Sequence, residues 1–238
     1  MNLGKKQQDF NDAMLRYHQQ KRHIYVQKFI SVFVITAQVV LFSSMLDFSL
    51  PWFWHIMIVL LAYFLTDFIN GLGHMYMDNS DSYTSLIGPY IASFHLHHRT
   101  PKYKDHNLLM MYFNETGTKL WLLPAYSVVL FLNYMQINEV VLSLLIYIGF
   151  LSCLAELSHY LCHNSHSKTV HFLQDIGILL SPSRHKQHHQ GNNEKYAFLN
   201  GMSDFVIDAI AHKLYKGYKV TTDKHYETYV FEETKNRL

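Results

Sequence analysis

Four stretches of the chain are long, apolar and free of Asp, Glu, Lys and Arg: residues 29–46, 51–66, 120–138 and 140–155. A helix crosses a bilayer with about 20 mostly apolar residues, or about 17 at the short end. With their helical continuations, the four stretches therefore predict four transmembrane helices. The alternative is a soluble bundle of buried helices, but four such stretches in 238 residues would leave it little amphipathic surface.

The distribution of Lys and Arg predicts the orientation of these helices. Six of these residues precede the first stretch, four lie between the second and third, and ten follow the fourth. The two short connections, residues 47–51 and 136–139, contain none. Because cytoplasmic loops carry the excess of Lys and Arg, both termini and the central loop are predicted to be cytoplasmic. The histidine clusters of the chain fall on that same predicted side.

The remaining segments predict helices at the membrane surface. Residues 1–28 are basic and amphipathic, which fits a helix lying on the membrane or an ordinary packed terminal helix. Residues 171–180 are apolar but too short to cross, which favours a re-entrant or interfacial segment. The predicted fold is an all-α integral membrane protein of about four transmembrane helices with interfacial helices, divided into an arm (1–28), a membrane domain (29–214) and a polar tail (215–238).

Histidine carries most of the chemical information, with 17 residues in the chain. Three clusters follow His74: His95-Leu-His97-His98, His159-x-x-x-His163 and His185-x-x-His188-His189. On a helix, residues three or four apart project to one side, whereas adjacent residues diverge by about 100° and can reach two ions or two sides of one. At least eight imidazoles from four segments exceed what one ion accepts, so the clusters predict a dinuclear metal site.

The ligand type narrows the chemistry without naming the metal, because imidazole suits iron, copper, zinc and nickel. Zinc has no redox chemistry and would imply hydrolysis. A haem uses one or two axial ligands and would leave most of the histidines unexplained. A histidine-rich dinuclear site at a membrane surface therefore favours oxygen activation by iron, in a desaturase or a hydroxylase of alkyl chains.

Three carboxylates are spaced so that they could accept the N–H of a ligating imidazole and fix its tautomer. Asp67 lies seven residues before His74, Asp78 lies four after it, and Glu156 lies three before His159. The alternative for each carboxylate is solvation at a helix end. Three further histidines lie near the clusters, and for these a supporting or surface role is preferred to ligation: His95, His166 and His171.

Taken in order, these motifs resemble the lipid desaturase family that includes the Kua and CarF proteins. The residues that carry the resemblance are His74-x-x-x-Asp78, Gly88-Pro-Tyr-Ile91, Phe94-x-x-His97-His98-x-x-Pro101, His159-x-x-x-His163, Leu173-Gln174-Asp175, His185-x-x-His188-His189, Tyr196 and Gly201. The resemblance implies eight metal ligands, and His106 as a further one at a shifted spacing: His74, His97, His98, His159, His163, His185, His188 and His189. Asp175 joins Asp67, Asp78 and Glu156 as a carboxylate expected to support the ligands.

The family includes plasmanylethanolamine desaturase, which forms the vinyl ether bond of plasmalogens, and a plant plastid branch that desaturates an acyl chain of phosphatidylglycerol. The resemblance implies an O2-dependent desaturase with two iron ions, and the alkyl ether chain of plasmanyl phospholipids is its first expected substrate. A phospholipid fatty-acyl desaturase and a lipid hydroxylase are alternatives, and a membrane metal-binding transporter or regulator is the non-enzyme alternative. His95 and residues 107–117 depart from the plasmalogen enzymes, which leaves the substrate open.

The expected partners follow from what the sequence lacks. It has no nucleotide-binding glycine motif and no cysteine cluster, so electrons are expected from an external donor of the cytochrome b5 or ferredoxin type. No nucleic acid partner is expected. The metal site is expected on the cytoplasmic face of a bacterial inner membrane or of the endoplasmic reticulum.

Overall fold

The computed structural model describes residues 3–19, 21–99, 107–227 and 229. These residues form ten α-helices, and they contain no β-strand, so the prediction of an all-α fold is confirmed. The helices are α1 (Leu3–Gln19), α2 (Lys21–Ser44), α3 (Trp52–Asn79), α4 (Gly88–Arg99), α5 (Leu108–Thr118), α6 (Leu122–Tyr134), α7 (Glu139–Asn164), α8 (Lys168–Asp175), α9 (Pro182–Gln190) and α10 (Asp204–Leu214). Short 3-10 turns lie at Met45–Asp47, Tyr218–Val220 and Thr222–Tyr226.

Among the described residues, three helical segments are long and apolar enough to cross a membrane: Ile24–Asp47, Trp52–Asn79 and Glu139–Asn164, with 24, 28 and 26 residues. They correspond to α2, α3 and α7, and to three of the four predicted spans. The remaining span, which was predicted over residues 120–138, is not confirmed, because α6 has only 13 residues. A helix of that length extends about 20 Å, against about 30 Å of hydrocarbon. The sidedness of the termini stays a prediction.

Helix α6 is short because polar groups determine both of its ends. Lys119 lies in the turn before α6, and its Nζ turns into the bundle, where it lies 3.2 Å from a carboxylate oxygen of Glu156. After α6, the side chain of Asn138 caps α7 by accepting from the N–H groups of Val140 and Val141 at 3.0 and 3.3 Å. An uncharged stretch therefore contains a turn that its hydropathy does not reveal.

Helices α2, α6 and α7 share an apolar core. Leu41 of α2, Tyr126 of α6 and Ile146 of α7 are buried together. Ser49 donates from its N–H and its hydroxyl to the carboxylate of Glu139 at 3.2 and 3.1 Å, which places the α2–α3 connection beside the start of α7. Helices α3 and α7 therefore begin at one end of the bundle, and their histidines lie towards the other end.

A smaller apolar cluster packs the two ends of the described chain against α4. Phe10 and Met14 of α1 are buried with Tyr83 and with Tyr226 of the C-terminal part. Helix α1 of the basic arm thus packs against protein through Phe10 and Met14, whereas its Leu15 is exposed. Residues 215–227 contribute buried side chains to the same body, although composition alone indicates a polar tail.

Helix α8 leads into a turn that lies against the candidate span α3. Gly177 adopts a φ of +76° in this turn, and the hydroxyl of Tyr63 in α3 donates to the carbonyl of Ile178. The side chains of Phe172 and Ile176 are 60% and 52% exposed. The segment that was expected to be re-entrant or interfacial therefore presents apolar side chains next to a membrane-spanning helix.

Candidate metal centre

Four helices bring their histidines together at one end of the bundle, in two neighbouring groups. The five-histidine group consists of His97 from α4, His159 and His163 from α7, and His185 and His189 from α9. The Asp78 group consists of His74 and Asp78 from α3, His98 from α4 and His188 from α9. In each group one ligand atom from every residue lies within 4.8 Å of all the others. Eight of the nine expected ligands therefore converge, and His106 lies outside the described residues.

Helical spacing explains how α4 and α9 serve both groups. His185 and His189 are four residues apart on α9 and project to the same side, so both enter the five-histidine group. His188 lies next to His189 but diverges by about 100°, as adjacent helical residues do, and joins the Asp78 group. The neighbours His97 and His98 divide in the same way on α4.

The five-histidine group has the spacing of ligands around one ion. The Nε2 atom of His185 lies 2.8 Å from Nε2 of His159 and 2.9 Å from Nε2 of His189. Nε2 of His163 lies 3.3 Å from Nε2 of His159. Bonds of about 2.1 Å from imidazole to a metal place ligand nitrogens at right angles about 3 Å apart. The group therefore fits a transition-metal ion.

The Asp78 group is completely enclosed and holds a carboxylate against three imidazoles. Asp78 and His188 are both 0% exposed. The Asp78 oxygens lie 3.2 Å from Nε2 of His98 and 3.4 Å from Nε2 of both His74 and His188. A carboxylate taken out of water needs a positive partner or hydrogen-bond donors. Whether each Nε2 atom carries a proton or a lone pair depends on the hydrogen-bond partner of Nδ1 in the same ring.

Each imidazole of the Asp78 group has an acceptor at Nδ1. His74 donates from Nδ1 to the carbonyl of Tyr196 at 2.7 Å, and His188 donates to the carbonyl of Glu194 at 2.9 Å. Nδ1 of His98 lies 3.2 Å from a carboxylate oxygen of Asp223. In the neutral rings of His74 and His188 the proton is then on Nδ1, and Nε2 presents a lone pair. Lone pairs facing a buried carboxylate repel each other unless a cation lies between them, so the group fits a second metal ion.

Burial keeps most of the imidazoles outside the spanning helices neutral. It lowers the pKa of His97, His185 and His188 well below the ordinary value, with neighbouring imidazoles adding to the effect. It lowers the pKa of His189 to about 3. His98 differs: burial lowers its pKa, but the carboxylates of Asp78 and Asp223 outweigh burial and raise it to about 9. Neutral imidazole is the form that binds a metal.

Asp67 lies away from both groups. Its Oδ1 accepts from the backbone N–H groups of Leu199, Asn200 and Gly201 at 3.2, 3.0 and 3.2 Å. Its Oδ2 accepts from the N–H and the hydroxyl of Ser203 at 2.9 and 2.7 Å. The carboxylate was expected to support an imidazole, and it instead holds the turn before α10 against α3.

The other two expected supporting carboxylates differ from each other in position. Glu156 lies behind the five-histidine group, with Oε2 3.9 Å from Nδ1 of His159 and Oε1 3.2 Å from Nζ of Lys119. Asp175 is exposed at the end of α8. Sequence reasoning gave Lys119 no part in the site, because a lysine beside a loop is most simply explained by the positive-inside bias.

The three histidines expected to lie near the clusters are outside both groups. His95 is buried, but both ring nitrogens are engaged: Nδ1 lies 2.9 Å from the hydroxyl of Tyr83 and Nε2 lies 2.7 Å from the carbonyl of Met77. His166 and His171 are exposed, and His171 contacts Gln174 at 3.0 Å. Asp223 is the supporting residue that sequence reasoning missed, because the tail carries no local pattern that points to His98.

Comparison with known proteins agrees with this geometry. The family model of the lipid desaturase domain matches residues 63–218, which include every histidine of both groups. The chain belongs to the lipid desaturase domain family. It is 31% identical over 156 residues to a protein of Arabidopsis thaliana named "Fatty acid desaturase 4-like 2, chloroplastic".

That match covers 62% of this chain and 53% of the relative, so the chain spans about half the length of the curated relative. No solved structure matches the chain. The chain therefore combines a lipid desaturase domain with three helices long and apolar enough to cross a membrane and two groups of side chains that could hold metal ions.

Proposed function

We propose that this protein is an O2-dependent di-iron desaturase that introduces a double bond into a hydrocarbon chain of a membrane phospholipid. The observation that carries the proposal is the adjacency of the two ligand groups. The ring of His98 in the Asp78 group lies 5.2 Å, centroid to centroid, from the ring of His189 in the five-histidine group. Two ions held by neighbouring groups can act on one oxygen molecule.

The reaction removes one hydrogen from each of two adjacent carbons and reduces O2 to two molecules of water. Two electrons and two protons, from an external reductant and from solvent, complete the balance. Two iron ions would supply the oxygen activation that amino-acid side chains cannot provide. The protein's own residues hold the imidazoles in one tautomer and keep the centre dry.

An aromatic wall excludes water on the bundle side of the centre. The ring of Phe198 lies 5.5 Å from that of His74 and 5.8 Å from that of His159, and the ring of Phe94 lies 5.1 Å from that of His74. Phe198 belongs to an apolar cluster that includes Ala155 of α7. We infer that a hydrocarbon chain approaches the centre along this wall, because an apolar surface receives an alkyl chain without losing hydrogen bonds.

Two substrates have specific support. The histidine motifs resemble the lipid desaturase family that includes plasmanylethanolamine desaturase, which supports the alkyl ether chain of plasmanyl phospholipids as a candidate. The Arabidopsis relative is named as a fatty acid desaturase, which favours a fatty acyl chain. The proposed chemistry of the two ligand groups is the same for both substrates, so the choice rests on the product.

We propose an external electron donor of the cytochrome b5 or ferredoxin type. The two cysteines of the chain, Cys153 and Cys162, are both buried and belong to neither ligand group. They therefore do not form an iron–sulfur site with the histidines. Expression hosts for the test must supply a competent donor.

The test is lipid mass spectrometry on cells that are fed a 1-O-alkylglycerol. The cells express the wild-type chain, the His188→Ala/His189→Ala variant, or His212→Ala as a matched control. His212 is exposed on α10, outside both groups. We expect the wild type and His212→Ala to convert the alkyl chain to a product lighter by two hydrogens that releases an aldehyde in acid. The double variant should lose this conversion.

The other outcomes separate the alternatives. Loss of two hydrogens only in ester-linked chains would keep the desaturase and identify a fatty acyl substrate. Addition of one oxygen would overturn desaturation in favour of a hydroxylase. Unchanged lipids in cells with a competent donor would overturn the enzyme proposal and favour a metal-binding transporter or regulator.

A further inference from the structure

The C-terminal segment, residues 215–227, reaches the metal centre although the family match ends at residue 218. Three of its side chains contact the Asp78 group. The hydroxyl of Tyr218 donates to the carbonyl of His188 at 2.5 Å, and the hydroxyl of Thr222 donates to the carbonyl of Asp78 at 2.5 Å. Both of these contacts are made to backbone atoms. The third, made by Asp223, is made to the ligand ring itself.

We propose that Asp223 is a positioning residue that orients the imidazole of His98 and thereby completes the metal site of the Asp78 group. Its carboxylate oxygen Oδ1 lies 3.2 Å from Nδ1 of His98, on the side of the ring opposite Nε2. Nε2 of the same ring lies 3.2 Å from Asp78. The inference rests on the proposed metal centre. It means that metal affinity depends in part on Asp223, a residue beyond the family match.

The position of the Asp223 carboxylate is set by contacts on both sides. Nζ of Lys219 lies 2.9 Å from Oδ2, which leaves Oδ1 for His98. Arg99, the residue after His98, donates from Nη1 to the carbonyl of Tyr226 at 2.9 Å. The 3-10 turn that carries Asp223 is therefore tied to the end of the helix that carries His98. The carboxylate side chain is only 9% exposed, so water competes weakly for its hydrogen bond.

Asp223 differs from the acceptors of the other two imidazoles. His74 and His188 donate to backbone carbonyls, whose place is set by the fold. Nδ1 of His188 also lies 3.2 Å from the hydroxyl of Tyr218. Among the described residues of this group, His98 alone has a carboxylate at Nδ1, and a carboxylate accepts more strongly than a carbonyl. Loss of such an outer partner typically costs 10–100-fold in metal affinity. Removal of the Asp223 carboxylate is therefore expected to weaken metal binding to the Asp78 group by a similar factor.

The test is an anaerobic titration of the purified full-length apoprotein in detergent with Co²⁺, followed by its visible absorption. We expect the wild type to bind two Co²⁺ ions. Asp223→Ala should bind one ion as the wild type does and the other about 10–100-fold more weakly. Lys224→Met is the matched control, because Lys224 follows Asp223 in the same 3-10 turn and its side chain is exposed, and we expect affinities within about threefold of the wild type.

A double-mutant cycle separates positioning from a general loss of structure. In the His98→Ala background, Asp223→Ala should not weaken Co²⁺ binding further, because its target ring is gone. Asp223→Asn keeps the size and an acceptor oxygen, and it covers the case in which Asp223→Ala does not fold. We expect Asp223→Asn to weaken the same single site by a smaller factor than Asp223→Ala. Wild-type affinity at both sites in Asp223→Asn and Asp223→Ala would overturn the proposal, as would an equal weakening by Asp223→Ala with and without His98.

The titration does not depend on the lipid product. A wild type that binds two Co²⁺ ions and yields no desaturated lipid would overturn the proposed function and leave the role of Asp223 to be decided by the variants. A wild type that binds no Co²⁺ would overturn both proposals.

Discussion

A carboxylate oxygen of Asp78 lies 3.2 Å from Nε2 of His98, and both residues are buried. The contact is on the ligand side of the ring, because Nδ1 of His98 is engaged by Asp223. Sequence spacing indicated that Asp78 accepts an imidazole N–H, whereas the structure directs its carboxylate at the Nε2 atoms of three histidines. Asp78 is therefore placed where a ligand would lie, and the two candidate metal sites differ in donor set.

Replacement of Asp78 should remove one metal ion and leave the other. We expect Asp78→Ala to bind one Co²⁺ per chain, because the five-histidine group does not include Asp78. Asp81→Ala is the control, since the Asp81 side chain is 42% exposed and pairs with Lys6. Metal content by elemental analysis measures both variants. Two ions in Asp78→Ala would show that Asp78 is not a ligand.

The buried ion pair between Lys119 and Glu156 should be costly to break from one side. Lys119→Met leaves the Glu156 carboxylate without its cation, and removing one partner of a buried pair typically destabilises by about 3–5 kcal/mol. We expect a clear drop in the melting temperature in detergent. Lys119→Met/Glu156→Gln should recover part of the loss, because it no longer buries an unpaired charge. A Lys119→Met protein that melts with the wild type would contradict the importance of this pair.

Close packing of α5 on α2 should make Gly117 intolerant of a side chain. A Cβ at Gly117 would lie 2.3 Å from the carbonyl oxygen of Gln27, an atom of the backbone. Gly117→Ala is expected to destabilise by about 1–3 kcal/mol, the usual range for overpacking. Gly73→Ala in α3 is the matched control, since a Cβ there meets nothing within 4 Å and alanine is the better helix former.

Melting curves of the two glycine variants in detergent measure the difference in their stability. The prediction fails if Gly117→Ala is as stable as Gly73→Ala. The same pair of variants also tests the position of α5 independently of any metal, because neither glycine is a ligand.

Acid should destabilise the metal-free protein, because the folded chain buries several neutral histidines that the unfolded chain would protonate. The pKa values of His97, His185 and His188 lie well below 6.5 in the folded chain, and that of His189 is about 3. Below pH 6.5 the unfolded chain therefore binds more protons than the folded chain, and stability falls as pH falls. Each such group contributes about 1.4 kcal/mol per pH unit within its window.

His98 acts in the opposite sense, because its pKa is raised to about 9 and its contribution is lost as pH rises through that value. We expect the melting temperature of the apoprotein to fall steadily from pH 6.5 to pH 5, because in that interval the four groups with lowered pKa outweigh the one group with raised pKa. A flat profile over that interval would contradict the burial of neutral imidazoles. The His188→Ala apoprotein should show a shallower slope.

The local sequence pattern predicted three of the four proposed membrane-spanning helices correctly. The uncharged stretches predicted α2, α3 and α7 because composition alone identifies an apolar helix of sufficient length. The same criterion failed for residues 120–138, where α6 is limited by the turn at Lys119 and the cap at Asn138. Hydropathy measures transfer into lipid and contains no information about such local hydrogen bonds.

The sequence also predicted part of the candidate metal site. Spacing on α7 predicted that His159 would share a face with His163. Spacing on α9 predicted that His185 would share a face with His188 or His189, and the structure groups it with His189. Which neighbouring ring joins which ion depends on how four helices meet, so the division of His97 from His98 was not readable. Asp223 lies 125 residues from its partner in sequence, a separation at which no local signal remains.

The anchoring of Asp67 has a consequence for how the protein is made. Its carboxylate lies in α3, and the last of its hydrogen-bond partners, Ser203, is 136 residues further along the chain. At about 5–20 residues per second, the ribosome delivers that partner roughly 7–27 s after Asp67 itself. An ionisable side chain without partners is costly inside a bilayer, so we expect α3 to reach its final depth only after residues 199–203 have been synthesised. Nascent chains truncated before residue 199 should therefore hold α3 less firmly in the membrane than nascent chains that extend past residue 203.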